Sequence, residues 1–91
     1  MSKLSVRLLI EEILKLIPND YYKKKDIAAR FEYIKQDSFY RAPECMYLCV
    51  DDIYATIRIF VLNFYKGSAK PDWVDNVVMK ILEWQETYLQ E

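Results

Sequence analysis

The chain has no histidine, one glycine, three prolines and two cysteines among its 91 residues. Without histidine it cannot use Ser-His-Asp or Cys-His catalysis, and it lacks the commonest metal ligand. A single glycine is too few for a phosphate-binding loop, and tight β-hairpins are disfavoured because their corners favour Gly or Asn. No apolar run approaches the ~18–20 residues of a membrane span, and the first residues do not resemble a signal peptide. We therefore expect a cytoplasmic protein.

The few residues that could carry chemistry are poorly spaced for it. Cys45 and Cys49 are the only cysteines, whereas structural zinc usually takes two such pairs, and a disulfide at helical i, i+4 spacing would be strained. We interpret both as free thiols that serve as small packing residues. Asp51 and Asp52 are adjacent, so on a helix they point about 100° apart and do not share an acid–base or metal site. The sequence thus predicts no metal, no cofactor and no enzymatic activity.

What the chain does contain suits one small folded domain over residues 1–91. Hydrophobic residues make up 53% and charged residues 30%, which favours a folded core with a soluble surface. The net charge of −1 is uneven: the part through Arg41 is net +3 and the remainder is net −4. The acidic part suits a basic partner, and equally a plain solvated surface. The high apolar content leaves a homodimer open.

Four segments carry apolar residues at three- and four-residue steps, the spacing of amphipathic helices. They are Leu4–Ile17, Asp26–Gln36, Ala42–Gly67 and Pro71–Leu89. We predict an all-α bundle of four to five helices with a long central third helix. The second half of that helix is apolar almost all round, so we expect it to be the most buried part, with Phe60 and Phe64 in its apolar arc. A β-strand over the same residues is the main alternative.

A second stripe runs beside the apolar arc of the third predicted helix. It consists of Glu44, Tyr47, Asp51, Tyr54 and Arg58, here called the Tyr/acid/Arg strip. Spacings of three and four place these side chains on one narrow sector of a helix. Tyr and Arg are enriched at the centre of protein interfaces, and tyrosine accounts for eight of the 91 residues. We predict that the strip binds a protein partner; the alternative is that a neighbouring helix packs over it.

Three consecutive lysines, Lys23–Lys25, follow Tyr21 and Tyr22. Basic residues beside aromatic ones are typical of nucleic-acid surfaces, and a small nucleic-acid-binding regulator that also uses Arg30 is one alternative function. Three lysines are few and the whole chain is slightly acidic, so we do not expect a nucleic-acid partner. A solvated loop is the favoured interpretation of this segment.

The segment Ser38–Trp84 resembles a known type of protein. It contains S-F-Y-R-A-P-E-C-M-Y-L-C-V-D-D-I-Y opening a long helix and P-D-W-V-D-N-V-V-M-K-I-L-E-W in the last one. In size, helical build and acid/Tyr surface it is similar to the small helical immunity proteins of bacterial toxin systems, of the contact-dependent inhibition and bacteriocin types. The resemblance implies a cofactor-free protein that binds one cognate toxin domain. The basic first half departs from the strongly acidic immunity proteins of nucleases, which argues against a nuclease target. A phage or mobile-element inhibitor of a host defence enzyme is the other alternative.

Overall fold

The computed structural model describes residues 6–36, 46–65 and 70–89, with side chains over 6–36, 48–65 and 70–86. These ranges contain four α-helices and no strand: α1 (Val6–Leu16), α2 (Lys24–Gln36), α3 (Met46–Ile57) and α4 (Asp72–Leu89). A five-residue π-helical turn, Arg58–Leu62, follows α3 directly and is here called the π turn. The all-helical prediction is confirmed for the described ranges, and the alternative of a strand is excluded for residues 59–65.

The third helix is where prediction and structure differ. The helix α3 has 12 residues and passes into the π turn, whereas α4 has 18 residues and is the longest described helix. The expected long, uninterrupted third helix is therefore not confirmed. Its predicted ends at Ala42 and Gly67 lie outside the described residues, as does Cys45.

The buried faces of the four helices meet in one hydrophobic core. Both α1 and α3 pack against each of the other three helices. The largest fully buried side chains are Phe31, Leu9, Ile10, Ile13, Ile17, Ile27, Ile34, Ile53, Ile57 and Ile81. Trp84 lies in this core, and Trp73 is partly buried against its edge. Cys49 is a buried free thiol, which agrees with its interpretation as a packing residue.

The π turn changes which residues face the core after Ile57. Its backbone bonds span five residues, as from Asn63 N–H to the Arg58 carbonyl at 3.0 Å, rather than the four of an α-helix. Beyond the turn, the residue that faces a given direction is therefore one position later in the sequence than uninterrupted α-helical spacing predicts. Val61 is fully buried where we expected Phe60, which is only partly buried, and Phe64 is 52% exposed. The expectation that this stretch is the most buried in the chain was wrong.

The connection between α1 and α2 is held by a lysine side chain. The Lys24 Nζ donates to the Ile17 carbonyl and to Asn19 Oδ1, both at 2.7 Å. A cation that bonds carbonyls at a helix C-terminus satisfies groups that the helix itself leaves unpaired, and it complements the helix dipole. Lys24 also begins α2, so the interpretation of Lys23–Lys25 as a solvated loop was wrong for this residue.

Candidate partner surface and aromatic cleft

The Tyr/acid/Arg strip is only partly within the described residues. Glu44 lies outside them, and no side chain is described for Tyr47. Asp51 is exposed and accepts a hydrogen bond of 3.4 Å from Gln85 Nε2 of α4. Tyr54 is half-buried and packs against the core, while Arg58 is exposed at the first position of the π turn. The strip thus runs along the border between α3 and α4, and its role as a partner surface stays a prediction.

The two adjacent aspartates differ in their surroundings. Asp51 is exposed and Asp52 is half-buried. The Asp52 main-chain carbonyl accepts a hydrogen bond of 2.8 Å from Thr56 Oγ1, a bond that runs back along the helix. Among the described residues, no three Cys, Asp or Glu side chains come together as a metal-binding group.

A second feature, an aromatic cluster, lies where the α1–α2 connection meets the end of the π turn and the start of α4. The Tyr21 ring is at its centre, with ring centroids 5.3 Å from Tyr22, 6.1 Å from Tyr65 and 5.1 Å from Trp73. The Tyr65 and Trp73 rings are themselves 6.1 Å apart and nearly perpendicular, at 85°. Edge-to-face pairs at these distances are favourable because the positive ring edge meets the negative ring face.

The Tyr21 hydroxyl fixes this cluster to the π turn. It donates a hydrogen bond of 2.5 Å to the Phe60 carbonyl. In an α-helix that carbonyl would accept from the Phe64 N–H, but here the Phe64 N–H bonds to the Val61 carbonyl instead, at 3.0 Å. The Tyr21 hydroxyl therefore replaces the N–H donor that the Phe60 carbonyl loses where the helix changes register.

The environment of Tyr21 also affects its ionisation. Burial raises the pKa of the Tyr21 hydroxyl to about 12, with smaller contributions from the nearby Tyr65 and Tyr22. Burial acts in this direction because it disfavours the charged phenolate. The neutral hydroxyl, which is the form that can donate to the Phe60 carbonyl, is thus retained throughout the physiological pH range.

Beside the cluster is an open cleft of about 260 Å³, here called the aromatic cleft. It is lined by Pro18, Asp20, Tyr21, Tyr22, Tyr65 and Trp73. On the outer side of Tyr22, the Lys23 Nζ lies 5.1 Å from the Tyr22 ring centroid and 4.8 Å from that of Phe64. Lys23 is thus held in cation–π contact, so this lysine too is not the solvated side chain that we expected.

Sequence reasoning recognised only one side of this cluster. The Tyr21–Lys25 segment stood out as basic and aromatic, but its aromatic neighbours Tyr65 and Trp73 are more than 40 residues away. No short-range spacing connects the two segments. The π turn, which determines the position of Tyr65, has no sequence signature comparable to a proline or a glycine cap.

Comparisons with known proteins leave the chain without a relative to argue from. No protein-family model, curated protein or solved structure matches it. Within the described ranges, none of the helices combines the length and apolar character needed to cross a membrane. Any functional argument therefore depends on the chain's own surfaces.

Proposed function

We propose that this protein is a non-enzymatic, protein-binding inhibitor of the immunity-protein kind, which neutralises a toxin domain by stoichiometric binding. The observation that carries the proposal is the exposure of Asp51 and Arg58 on either side of a half-buried Tyr54 along one helical border. The resemblance of the segment 38–84 to immunity proteins supports it independently of that geometry.

The strip combines properties that favour tight protein binding. Its described residues lie on α3 and at the start of the π turn, which pack against the core, so little conformational entropy is lost when a partner orders them. The exposed charges can steer a partner of complementary charge and raise the association rate. Tyr54 presents ring surface that the core already holds in place, as expected for an anchor residue with few rotamers to lose.

The test compares binding and folding in the same variant. A tagged protein retrieves its partner from the native host, and the purified pair is then measured by titration calorimetry. We expect Tyr47→Ala combined with Asp51→Ala to weaken binding by about 2 kcal/mol or more, the cost of truncating interface anchors, while the thermal midpoint barely moves. The matched control is Tyr33→Ala combined with Glu32→Ala, an exposed Tyr and acid on α2, which should leave both quantities unchanged.

The opposite pattern would contradict the proposal. If α4 packs over the strip, the thermal midpoint of the double variant should drop while the affinity per folded molecule holds. The strip would then be a packing seam between α3 and α4. Gene neighbourhood separates the two kinds of inhibitor, since an immunity gene lies directly beside its toxin gene, whereas a phage inhibitor of a host defence enzyme has no such neighbour.

A further inference from the structure

The walls of the aromatic cleft are inclined steeply to one another. The Tyr21 ring makes angles of 63° with Tyr22 and 62° with Trp73, and Trp73 makes an angle of 85° with Tyr65. The Tyr21 and Tyr65 rings are tilted by only 36° to one another. The rings therefore do not form one flat platform, and the cleft that they border suits a compact group better than a flat one.

The chemistry of the lining favours a cation. Aromatic rings carry a negative face that attracts ammonium groups, most strongly for Trp and Tyr, which are the ring types present here. Asp20 is the only charged residue among the described residues of the lining, and it is exposed and adds a negative charge at the edge of the cleft. It forms no ion pair within the described part of the chain. Among these described lining residues an anion would find neither a positive side chain nor a favourable ring face.

One ring of the cleft, that of Tyr22, already contacts an ammonium group. The Lys23 Nζ contacts the Tyr22 and Phe64 rings, with Phe60 at 6.0 Å. Neither phenylalanine lines the aromatic cleft and Lys23 is not among its described lining residues, so this internal cation does not fill the cleft. The volume of about 260 Å³ is below the ~300–1,000 Å³ usual for drug-sized ligands, which favours a small head group.

We propose that the aromatic cleft is a binding site for an organic ammonium group of the trimethylammonium type. The cation contacts the ring surface that Tyr21, Tyr22, Tyr65 and Trp73 present at the wall of the cleft, and the Asp20 carboxylate balances its charge. A methylated ammonium fits better than a bare one because its shed water is replaced by contact between methyl groups and ring faces. This site is separate from the Tyr/acid/Arg strip, so either proposal can fail without the other.

Nitrogen–proton correlation NMR of the full chain, titrated with choline chloride, tests the proposal. The two indole N–H signals provide a probe and an internal control, since Trp73 lines the cleft and Trp84 lies in the core about 16 Å further along α4. We expect choline to shift the Trp73 signal saturably and to leave the Trp84 signal in place. The uncharged isostere of choline, with a tert-butyl group in place of trimethylammonium, should bind at least about tenfold more weakly. Equal binding of the two compounds, or no saturable shift, would overturn the proposal.

Three variants on the cleft separate a cation site from a merely apolar one. Tyr22 is 69% exposed, so Tyr22→Leu should fold normally, retain an apolar wall and weaken choline binding by about three- to tenfold. Asp20→Asn should also weaken binding, whereas Lys23→Gln should strengthen it by removing a nearby positive charge. Tyr33→Leu, at an exposed tyrosine on α2, is the matched control and should have no effect. Tighter binding in Asp20→Asn or weaker binding in Lys23→Gln would contradict the charge argument.

A further titration identifies the source of the cation. The same titration is run with N-acetyl-trimethyllysine amide and with its unmethylated lysine counterpart. If the trimethyllysine derivative binds more tightly than choline, the cleft recognises a modified side chain of another protein; if choline binds more tightly, it recognises a free small cation. Both results support the proposed chemistry, whereas a preference for the unmethylated lysine would overturn it.

Discussion

The hydrogen bond from Tyr21 to the Phe60 carbonyl gives the sharpest test of this fold. Tyr21→Phe removes one hydroxyl and leaves the ring, with its contacts to Tyr65 and Trp73, in place. The Phe64 N–H already bonds to the Val61 carbonyl, so the Phe60 carbonyl loses the hydrogen bond that the Tyr21 hydroxyl donates to it. Leaving a buried acceptor unpaired costs about 1–3 kcal/mol, and since this bond is only partly buried we expect about 1–2 kcal/mol.

Urea denaturation followed by circular dichroism measures this cost directly. The thermal midpoint should fall by about 4–8 °C for each kcal/mol lost, the usual scale for a chain of this size. Tyr33→Phe is the matched control, because it removes the same hydroxyl from a ring that is 60% exposed, and its stability should equal that of the wild type. A loss below about 0.5 kcal/mol in Tyr21→Phe, comparable to an ordinary surface substitution, would refute the reasoning. The Phe60 carbonyl would then have a replacement partner, such as water or the Phe64 N–H after a return to α-helical register.

Three further predictions follow from the same structure. The pKa of Tyr21 is raised to about 12 from 10.0, so above pH 10 the folded state keeps a proton that the unfolded state loses. The difference in unfolding free energy between the wild type and Tyr21→Phe should therefore stay constant below pH 10 and shrink between pH 10 and 12, as measured by urea titrations. Phe31→Ala should cost about 3–5 kcal/mol and Phe60→Ala clearly less, since Phe31 is 0% exposed and Phe60 is only partly buried; equal losses in urea would contradict the burial assigned to the π turn. Lys24→Met should cost about 1 kcal/mol by removing the two bonds that close α1, whereas Lys25→Met, at an exposed position, should cost nothing measurable in the same assay.

Much of the bundle could be predicted because three of its four helices follow simple amphipathic rules. Ile10, Ile13 and Ile17 form one stripe of α1, and Ile27, Phe31 and Ile34 form one stripe of α2. Pro18 follows Ile17 in the sequence, near the end of α1, where a proline cannot continue the helix. Each of these patterns depends on residues that are close together in the sequence, so it predicts the structure correctly unless tertiary packing favours another arrangement.

The prediction was wrong at the end of the third helix because it assumed that α-helical spacing continues through the π turn. From Cys49 through Ile57, where α-helical geometry holds, the apolar residues at three- and four-residue steps are buried as predicted. Beyond it the residues Ile59 to Leu62 are all apolar, so the hydrophobic pattern alone does not distinguish one register from the next. Val61 is fully buried and Phe60 only partly, and the bond from Tyr21 to the Phe60 carbonyl is a tertiary contact that favours this register.

The π turn connects the two surfaces to which we assign function. It begins at Arg58, the last residue of the Tyr/acid/Arg strip, and the chain leaves it towards Tyr65, which lines the aromatic cleft. At the Phe60 carbonyl the Tyr21 hydroxyl takes the place that the Phe64 N–H would have in an uninterrupted α-helical turn. In an α-helical turn each residue would face the direction that its successor in the sequence faces here. Phe64 would then point towards the core and Tyr65 away from the cleft. The bond from the Tyr21 hydroxyl therefore stabilises the register in which Tyr65, and not Phe64, lines the cleft.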